Sequence, residues 1–303
     1  MILRVKKTID TLYELFYRIQ NKILRELVSF FKLRPSSVPY ITGDGFRKIA
    51  NHVYDETKKC EPVDIKNGEI VFLNSSMLDE WFKYVHPQII SKYILITHNS
   101  DYNIKDSDLV FIDDKIIHWY AQNVTTKHLK LTPIPYGINN YHLCHLSSPK
   151  LYNKFRKKIC NQCNRIIFGF SVSTNEKERQ PALDLLNRLK IADKIRGKNY
   201  AKTYFRLIKK YKFIAAPNGN GLDDPRRWQA LYFGIVPIVT KSEAMIYFKD
   251  LGLPFYIIES WNELIELEES DLDKLYKELM SNRNDNPMYL DYWEKMIKNT
   301  NIC

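Results

Sequence analysis

Residues 213–239 read FIAAPNGNGLDDPRRWQALYFGIVPIV. The apolar start is strand-like and runs into Pro217, Asn218, Gly219, Asn220 and Gly221, where glycine permits tight turns that bring backbone N–H groups close to a ligand. Pro225 suits the first turn of a helix, with Asp223 or Asp224 as its cap. A helix N-terminus attracts anions, and Arg226 or Arg227 adds a bidentate phosphate contact. Gly234 and a second apolar run containing Pro237 complete a strand, loop, helix, strand unit. A glycine-rich loop alone is a weak signal, but in this setting, with arginines at the helix start, it points to recognition of a diphosphate.

The same alternation continues outward. Strands are expected over 165–170, 212–216, 235–239 and 255–258, with helices over 182–189, 226–233 and 243–249. In the first half, short apolar runs predict strands at 40–42, 70–73, 93–96 and 109–112. Alternation of this kind predicts parallel sheets with crossover helices, an α/β protein of two Rossmann-like domains. Residues 147–158, opening with Ser147, Ser148 and Pro149 and ending in a basic run, are expected to link domains at 39–150 and 151–303. The last stretch reads as two helices around a break at 282–287. Open parallel sheets bind ligands beyond the carboxyl ends of their strands, which directs attention to 171–175, 217–224 and 240–242.

Residues 211–261 resemble the C-terminal signature of exostosin-like glycosyltransferases and their bacterial and viral relatives. The resemblance implies the two-Rossmann GT-B fold and sugar transfer from a nucleotide-sugar donor to a glycan or lipid-linked acceptor. It also implies inversion at the anomeric carbon and no metal or other cofactor, basic side chains and helix dipoles neutralising the leaving diphosphate. An arginine near Arg226 then faces the donor phosphates, and an acid on the following helix holds the ribose; this chain has Gln229 there, whose amide also hydrogen-bonds hydroxyls. The expected donor-binding set is Ser171, Ser173, Thr174, Asn218, Gly219, Asn220, Gly221, Asp223, Arg226, Arg227 and Gln229. Ser171, Ser173 and Thr174 read equally well as a solvated loop. Inverting transfer needs a general base near the acceptor hydroxyl, and the strand ends at 42–45 and 97–101 offer Asp44, His98 and Asp101, each of which also suits a cap or turn.

The chain has 303 residues and a formal charge of +11, which favours an anionic partner. Part of that charge lies in residues 1–38, where Arg4, Lys6, Lys7, Arg18, Lys22, Arg25, Lys32 and Arg34 face only Asp10, Glu14 and Glu26. Within that segment Ile9, Leu12, Phe16, Ile19, Ile23, Leu27 and Phe30 recur at helical spacing. Such a helix either makes peripheral contact with an anionic membrane or packs on the protein's own core or a second subunit. No apolar run is long enough to span a bilayer, and five cysteines without scaffold-like spacing suit a reducing compartment, so a cytoplasmic protein is expected. One Cys-x-x-Cys pair, Cys160 and Cys163, with His142, Cys144 and His145 upstream, falls short of a zinc signature. A nucleic-acid-binding module fits the charge but shows none of the recognition motifs, so no nucleic-acid partner is expected. The remaining alternative is a catalytically silent relative that binds sugar or a partner protein, with Gln229 as its support.

Overall fold

The computed structural model describes residues 19, 22, 23, 26, 27, 31, 33–143, 147–158, 160–196 and 201–300. The amphipathic helix expected near the N-terminus lies mostly outside them. Ile19, Lys22, Ile23, Glu26 and Leu27 are helical, and Ile19, Ile23 and Leu27 are about half exposed.

Two parallel sheets of five strands follow. The first comprises β1 (His52–Tyr54), β2 (Ile70–Asn74), β3 (Tyr93–His98), β4 (Ile116–Ala121) and β5 (Leu131–Pro133), paired in chain order. Every residue of β2 and β3 is buried, as in parallel strands covered on both faces. Right-handed crossovers that always step in one direction lie on a single face. Here Leu78, Trp81, Phe82 and Ile89 cover Val71, Leu73, Leu95 and Trp119. The opposite face must be covered from elsewhere in the chain. Phe46 of α1 (Gly43–Ile49) and Leu290, Trp293 and Ile297 of the last helix, α8 (Leu290–Lys298), pack in the cluster that holds Phe72, Ile94, Ile96 and Tyr120. The C-terminal segment is tied there by the Leu290 N–H on Pro39 O (3.1 Å) and by Tyr120 Oη to Thr300 Oγ1 (2.7 Å).

The second sheet comprises β6 (Cys163–Phe168), β7 (Ala192–Lys194), β8 (Tyr211–Ala215), β9 (Val236–Thr240) and β10 (Tyr256–Ile258), in the order β10-β9-β8-β6-β7. Its helices are α3 (Glu176–Leu186), α4 (Ala201–Ile208), α5 (Pro225–Tyr232), α6 (Glu243–Asp250) and α7 (Glu269–Ser281). Strand order reverses between β6 and β8, which opens a crevice at their carboxyl ends.

Several expectations are corrected. Residues 40–42 form no strand: only Tyr40 bridges Tyr289, and Thr42 caps α1 by accepting the Gly45 N–H at 3.0 Å. Residues 109–112 fall largely in a 3-10 helix (Asp106–Phe111), because Asp108 accepts the Lys105 N–H (2.8 Å) and the Tyr102 hydroxyl (2.9 Å), and this local capping outweighs the β-prone Val110 and Phe111. The expected linker contains α2 (Pro149–Arg156), whose Leu151, Tyr152 and Phe155 are buried. Tyr152 meets Tyr40 at 4.9 Å and Phe233 at 5.6 Å between ring centroids, so the core is continuous from one half to the other.

A continuous core predicts cooperative unfolding. Trp293 is fully buried, packs on Phe248 and donates Nε1–H to Pro287 O at 2.9 Å. Trp293→Ala should cost about 3–5 kcal/mol and shift a single denaturant transition. Two separate transitions, with only the first half's affected, would contradict the shared core.

Candidate functional site

The crevice of the second sheet is built around Arg179, in the first turn of α3 and 4% exposed. Its Nε donates to Asn218 O (2.8 Å), Nη1 to Ser171 O (2.9 Å) and to Thr174 Oγ1, and Nη2 to Pro217 O (3.2 Å). One guanidinium therefore ties the loop after β6 to the loop after β8. A Cβ at Gly219 would lie 2.9 Å from Arg179 Nη2, so a larger residue there has to displace the guanidinium. Neighbouring Glu178 accepts the Asn218 N–H (3.0 Å) and the Thr240 hydroxyl (2.9 Å).

Arg227 is fully buried, donating to Ala216 O (3.0 Å), Leu222 O (2.5 Å) and Asn218 Oδ1 (2.6 Å). Arg227 and the Asn218 side chain, both expected to bind the donor, thus hold the loop from inside. Asp224 is the residue that caps α5, its Oδ1 accepting the Arg226 N–H at 2.8 Å. Asp223 is buried and accepts the Asp224 N–H (2.8 Å), the Trp228 indole N–H (2.8 Å) and, from the first half, the Tyr136 N–H (2.9 Å). Gln229, 4% exposed, offers almost no surface to a ribose.

What the crevice presents is smaller than the expected set: exposed Ser171, Ser173 and Asn220, half-buried Thr174 and Gly219, and Arg226. Ser171 and Ser173 share a hydrogen bond (2.8 Å). Arg226 lies 3.6 Å from Asp224 Oδ2, with its guanidinium 6.0 Å from the Phe170 ring centre, and its buried Nη1 has no hydrogen-bond partner. Arg179 lies over the same ring at 5.7 Å, and burial, then the like charge of Arg226, pushes its pKa down.

The loop after β8 meets the carboxyl edge of the first sheet. Leu222 N–H donates to Asn103 Oδ1 (3.2 Å) and Asp223 N–H to Asn123 Oδ1 (2.9 Å). Buried Gly221 fits between them, since a Cβ would come within 2.7 Å of Asn123 Nδ2 and 3.4 Å of Asp101 Cα. Beside this junction lies a pocket of about 260 Å³ of mixed lining, with Asn74, Asn99, Asn140, the Arg34–Glu56 pair and His142 set among Tyr136, Ile138 and Leu143 and Asp101 at its rim.

The three expected bases are placed differently from one another. Asp101 is exposed at the pocket rim. His98 is buried; its Nδ1 accepts the Asn99 N–H (2.7 Å) and its Nε2 donates to Pro135 O (3.2 Å). Burial pushes its pKa down to about 4, so it is a neutral structural group with no lone pair left for a substrate proton. Asp44 is 1% exposed, accepts from His142 Nδ1 at 2.9 Å and lies 3.7 Å from Arg34 Nη1, so it meets the pocket through those two side chains and not directly. Arg179, Asn140 and His142 were absent from the expected set. Among the described residues no group of three or more His, Cys, Asp or Glu side chains is placed to hold a metal ion; Cys144 and His145 lie outside them.

No family model and no curated protein matches this chain. Among solved structures it is similar to spinosyn rhamnosyltransferase SpnG complexed with thymidine diphosphate, at 7% identity and a TM-score of 0.34, over 76% of this chain and 68% of that one.

A neutral buried histidine makes stability depend on pH. With the folded pKa of His98 near 4 and the unfolded value near 6.5, its contribution is complete above pH 6.5 and is lost as the pH falls towards 4. Between pH 7 and pH 5 this should remove about 2 kcal/mol. Asp223, raised to about 6 by burial, opposes the change over much of the same range. Urea titrations of wild type and His98→Asn at both pH values should differ in pH dependence by that amount; identical dependences would reject a neutral His98. Asp223→Asn replaces one accepting oxygen by a donor and should cost about 1–3 kcal/mol in the same titrations; a neutral effect would show that the junction does not depend on it.

Proposed function

We propose that the chain is a GT-B glycosyltransferase of exostosin-like type that moves a sugar from a nucleotide-sugar donor to a glycan or lipid-linked acceptor, with inversion and without a metal. One observation carries the reading. Among the described residues, two buried side-chain atoms of charged groups make no hydrogen bond and rest on an ion pair alone: Arg226 Nη1 at the switch-point crevice of the second sheet, 3.6 Å from Asp224 Oδ2, and Asp44 Oδ1 behind the pocket of the first, 3.7 Å from Arg34 Nη1. A guanidinium that makes no hydrogen bond through one nitrogen, on the same carboxyl edge of a parallel sheet as the exposed hydroxyls of Ser171 and Ser173, supports binding of a donor diphosphate. A pocket walled by amides and hydroxyls suits a sugar hydroxyl partner. Sugar transfer needs both sites near one another.

The half-exposed Ile19, Ile23 and Leu27, on a segment rich in lysine and arginine, support peripheral contact with anionic lipid. No described helix is long and apolar enough to cross a membrane. A cytoplasmic location and the absence of a nucleic-acid partner remain part of the same proposal. The burial of Gln229 favours a second reading, a silent relative that keeps the fold without turnover.

Thermal shift against UDP-, GDP-, CMP- and dTDP-sugars, with and without magnesium, tests the proposal. One nucleotide class should raise the melting temperature in a concentration-dependent, metal-independent way. Arg226→Ala should weaken that binding by about 10- to 100-fold, the loss of one charge-assisted contact. No stabilisation by any of them rejects the donor site; stabilisation without turnover of donor selects the silent relative.

A further inference from the structure

Four of the five tryptophans give their indole N–H to an acceptor inside the protein. Trp81 donates to Tyr93 Oη (3.0 Å), Trp119 to Thr97 Oγ1 (2.9 Å), Trp228 to Asp223 Oδ2 (2.8 Å) and Trp293 to Pro287 O (2.9 Å). Trp261, in the 3-10 turn Trp261–Leu264 after β10, is the exception. It is 6% exposed and belongs to the apolar cluster of Ile258 and Leu264, yet its buried Nε1 has no hydrogen-bond partner. A buried indole N–H normally finds an acceptor. Leaving it without one carries a desolvation cost that phenylalanine in the same apolar space would not.

The same residue lines a pocket of about 500 Å³ at the carboxyl edge of the second sheet, on the face that α3 covers. We propose that this pocket is a second binding site, separate from the donor crevice, and that it takes a neutral sugar residue of a glycan, one of whose oxygens accepts the Trp261 N–H. Thr240 ends β9, Ser260 and Asn262 follow β10, and Asn175 and Glu178 come from the start of α3. Donors and acceptors are both present. Ser260 Oγ accepts the Asn262 N–H (3.3 Å) and has its own O–H to donate. Asn175 Oδ1 accepts the Glu178 N–H (3.4 Å), which leaves the amide nitrogen as a donor, while the carboxylates only accept. The hydroxyls of a sugar ring do both.

Two other ligand classes fit less well. A nucleobase is held largely by stacking, and Trp261, the aromatic residue of this lining, shows almost no face. An anion would meet Lys177 and the start of α3, but also Glu178 and Glu259. Lys177, with the Lys241 that pairs with Glu259 at 2.5 Å, only balances those two carboxylates and provides no excess of positive charge. Glu178 belongs to two sets of contacts. It lines the pocket, and its Oε1 accepts the Asn218 N–H (3.0 Å) and the Thr240 hydroxyl (2.9 Å), while the next residue, Arg179, holds the same 217–224 loop. A glycan seated here lies beside the loop of the donor crevice without using Arg226, Ser171 or Ser173, none of which lines the pocket.

Proton–nitrogen spectra of the indole groups in the full-length protein test the site, with the Trp261 signal identified by its loss in Trp261→Phe. The probes are methyl glucoside, galactoside, mannoside, N-acetylglucosaminide and glucuronide. At least one neutral glycoside should move the Trp261 signal saturably and leave the other four in place. The glucuronide, whose carboxylate meets two glutamates, should bind more weakly. By ligand-observed saturation transfer, Trp261→Phe should weaken the neutral glycoside about fivefold, the loss of one hydrogen bond. Asn262→Arg sets a long side chain at an exposed position of the lining and should abolish the response while keeping all five indole signals. A Trp261 signal that no neutral glycoside moves, a glucuronide that binds more tightly than every neutral probe, or a response that survives Asn262→Arg overturns the site. Failure of every nucleotide sugar to stabilise the protein rejects the donor reading alone, because the glycoside response requires no nucleotide.

Discussion

The loop over 217–224 has no regular secondary structure, and its backbone carbonyls are satisfied from within by two buried arginines. Arg179 takes the oxygens of Pro217 and Asn218, and Arg227 takes that of Leu222 together with Ala216 just before the loop. A guanidinium has five N–H donors in a planar fork, so it can serve several carbonyls that no strand or helix supplies with partners. Burying such a cation is costly unless its donors are nearly all used. Here they are, and the cost is offset by a loop held in one conformation. The position of every other group at the junction follows from that.

Because the loop is fixed, Asp223 is delivered to the Tyr136 N–H and the Asp223 N–H to Asn123, whose backbone takes the left-handed form at φ 57. These contacts bring the segments that follow β4 and β5 against the loop that follows β8. Apolar packing supports the same arrangement from the other side, since α2 and α8 belong to a core that serves both sheets. A parallel sheet offers ligands its carboxyl edge, where loops leave the strands and helices begin. Two such edges meet here, one carrying Arg226 with Ser171 and Ser173, the other a pocket lined by Asn74, Asn99, Ser100 and Asn140. The chemistry proposed for the protein needs that pairing, and neither sheet alone provides it.

Much of the second sheet was legible in the sequence. Strands β8, β9 and β10 fall on largely apolar runs and Pro225 marks the first turn of α5, but β7 reads Ala-Asp-Lys and was not expected, and the sequence left Asp223 and Asp224 open as the cap. Less of the first sheet was legible. Strand β1 has only three residues, 109–112 have β-prone side chains but are captured by the Asp108 cap, and α2 looks like a basic linker because its buried face is only Leu151, Tyr152 and Phe155. At the site, the position of the loops was readable and the roles were not. Arg226 and Arg227 are adjacent and chemically identical, so only the phase of α5 decides that one lines the crevice and the other is fully buried. Composition likewise cannot separate His98, whose two nitrogens are consumed by backbone groups, from His142, whose ring is held by a carboxylate.

Those pairs suggest how charged residues are divided between holding the fold and doing chemistry. Arg179, Arg227 and Asp223 are buried with their polar atoms engaged, and removing any one leaves its partners unpaired in a site of low polarity. They belong to the scaffold. Arg226 and Asp44 each keep one buried atom that makes no hydrogen bond and is met only by an ion pair, Arg226 Nη1 with Asp224 at 3.6 Å and Asp44 Oδ1 with Arg34 at 3.7 Å. The two differ in what they leave open. Asp44 already has a cation near one oxygen and an imidazole on the other, whereas the Arg226 guanidinium keeps a donor that the phosphate of a departing nucleotide would complete.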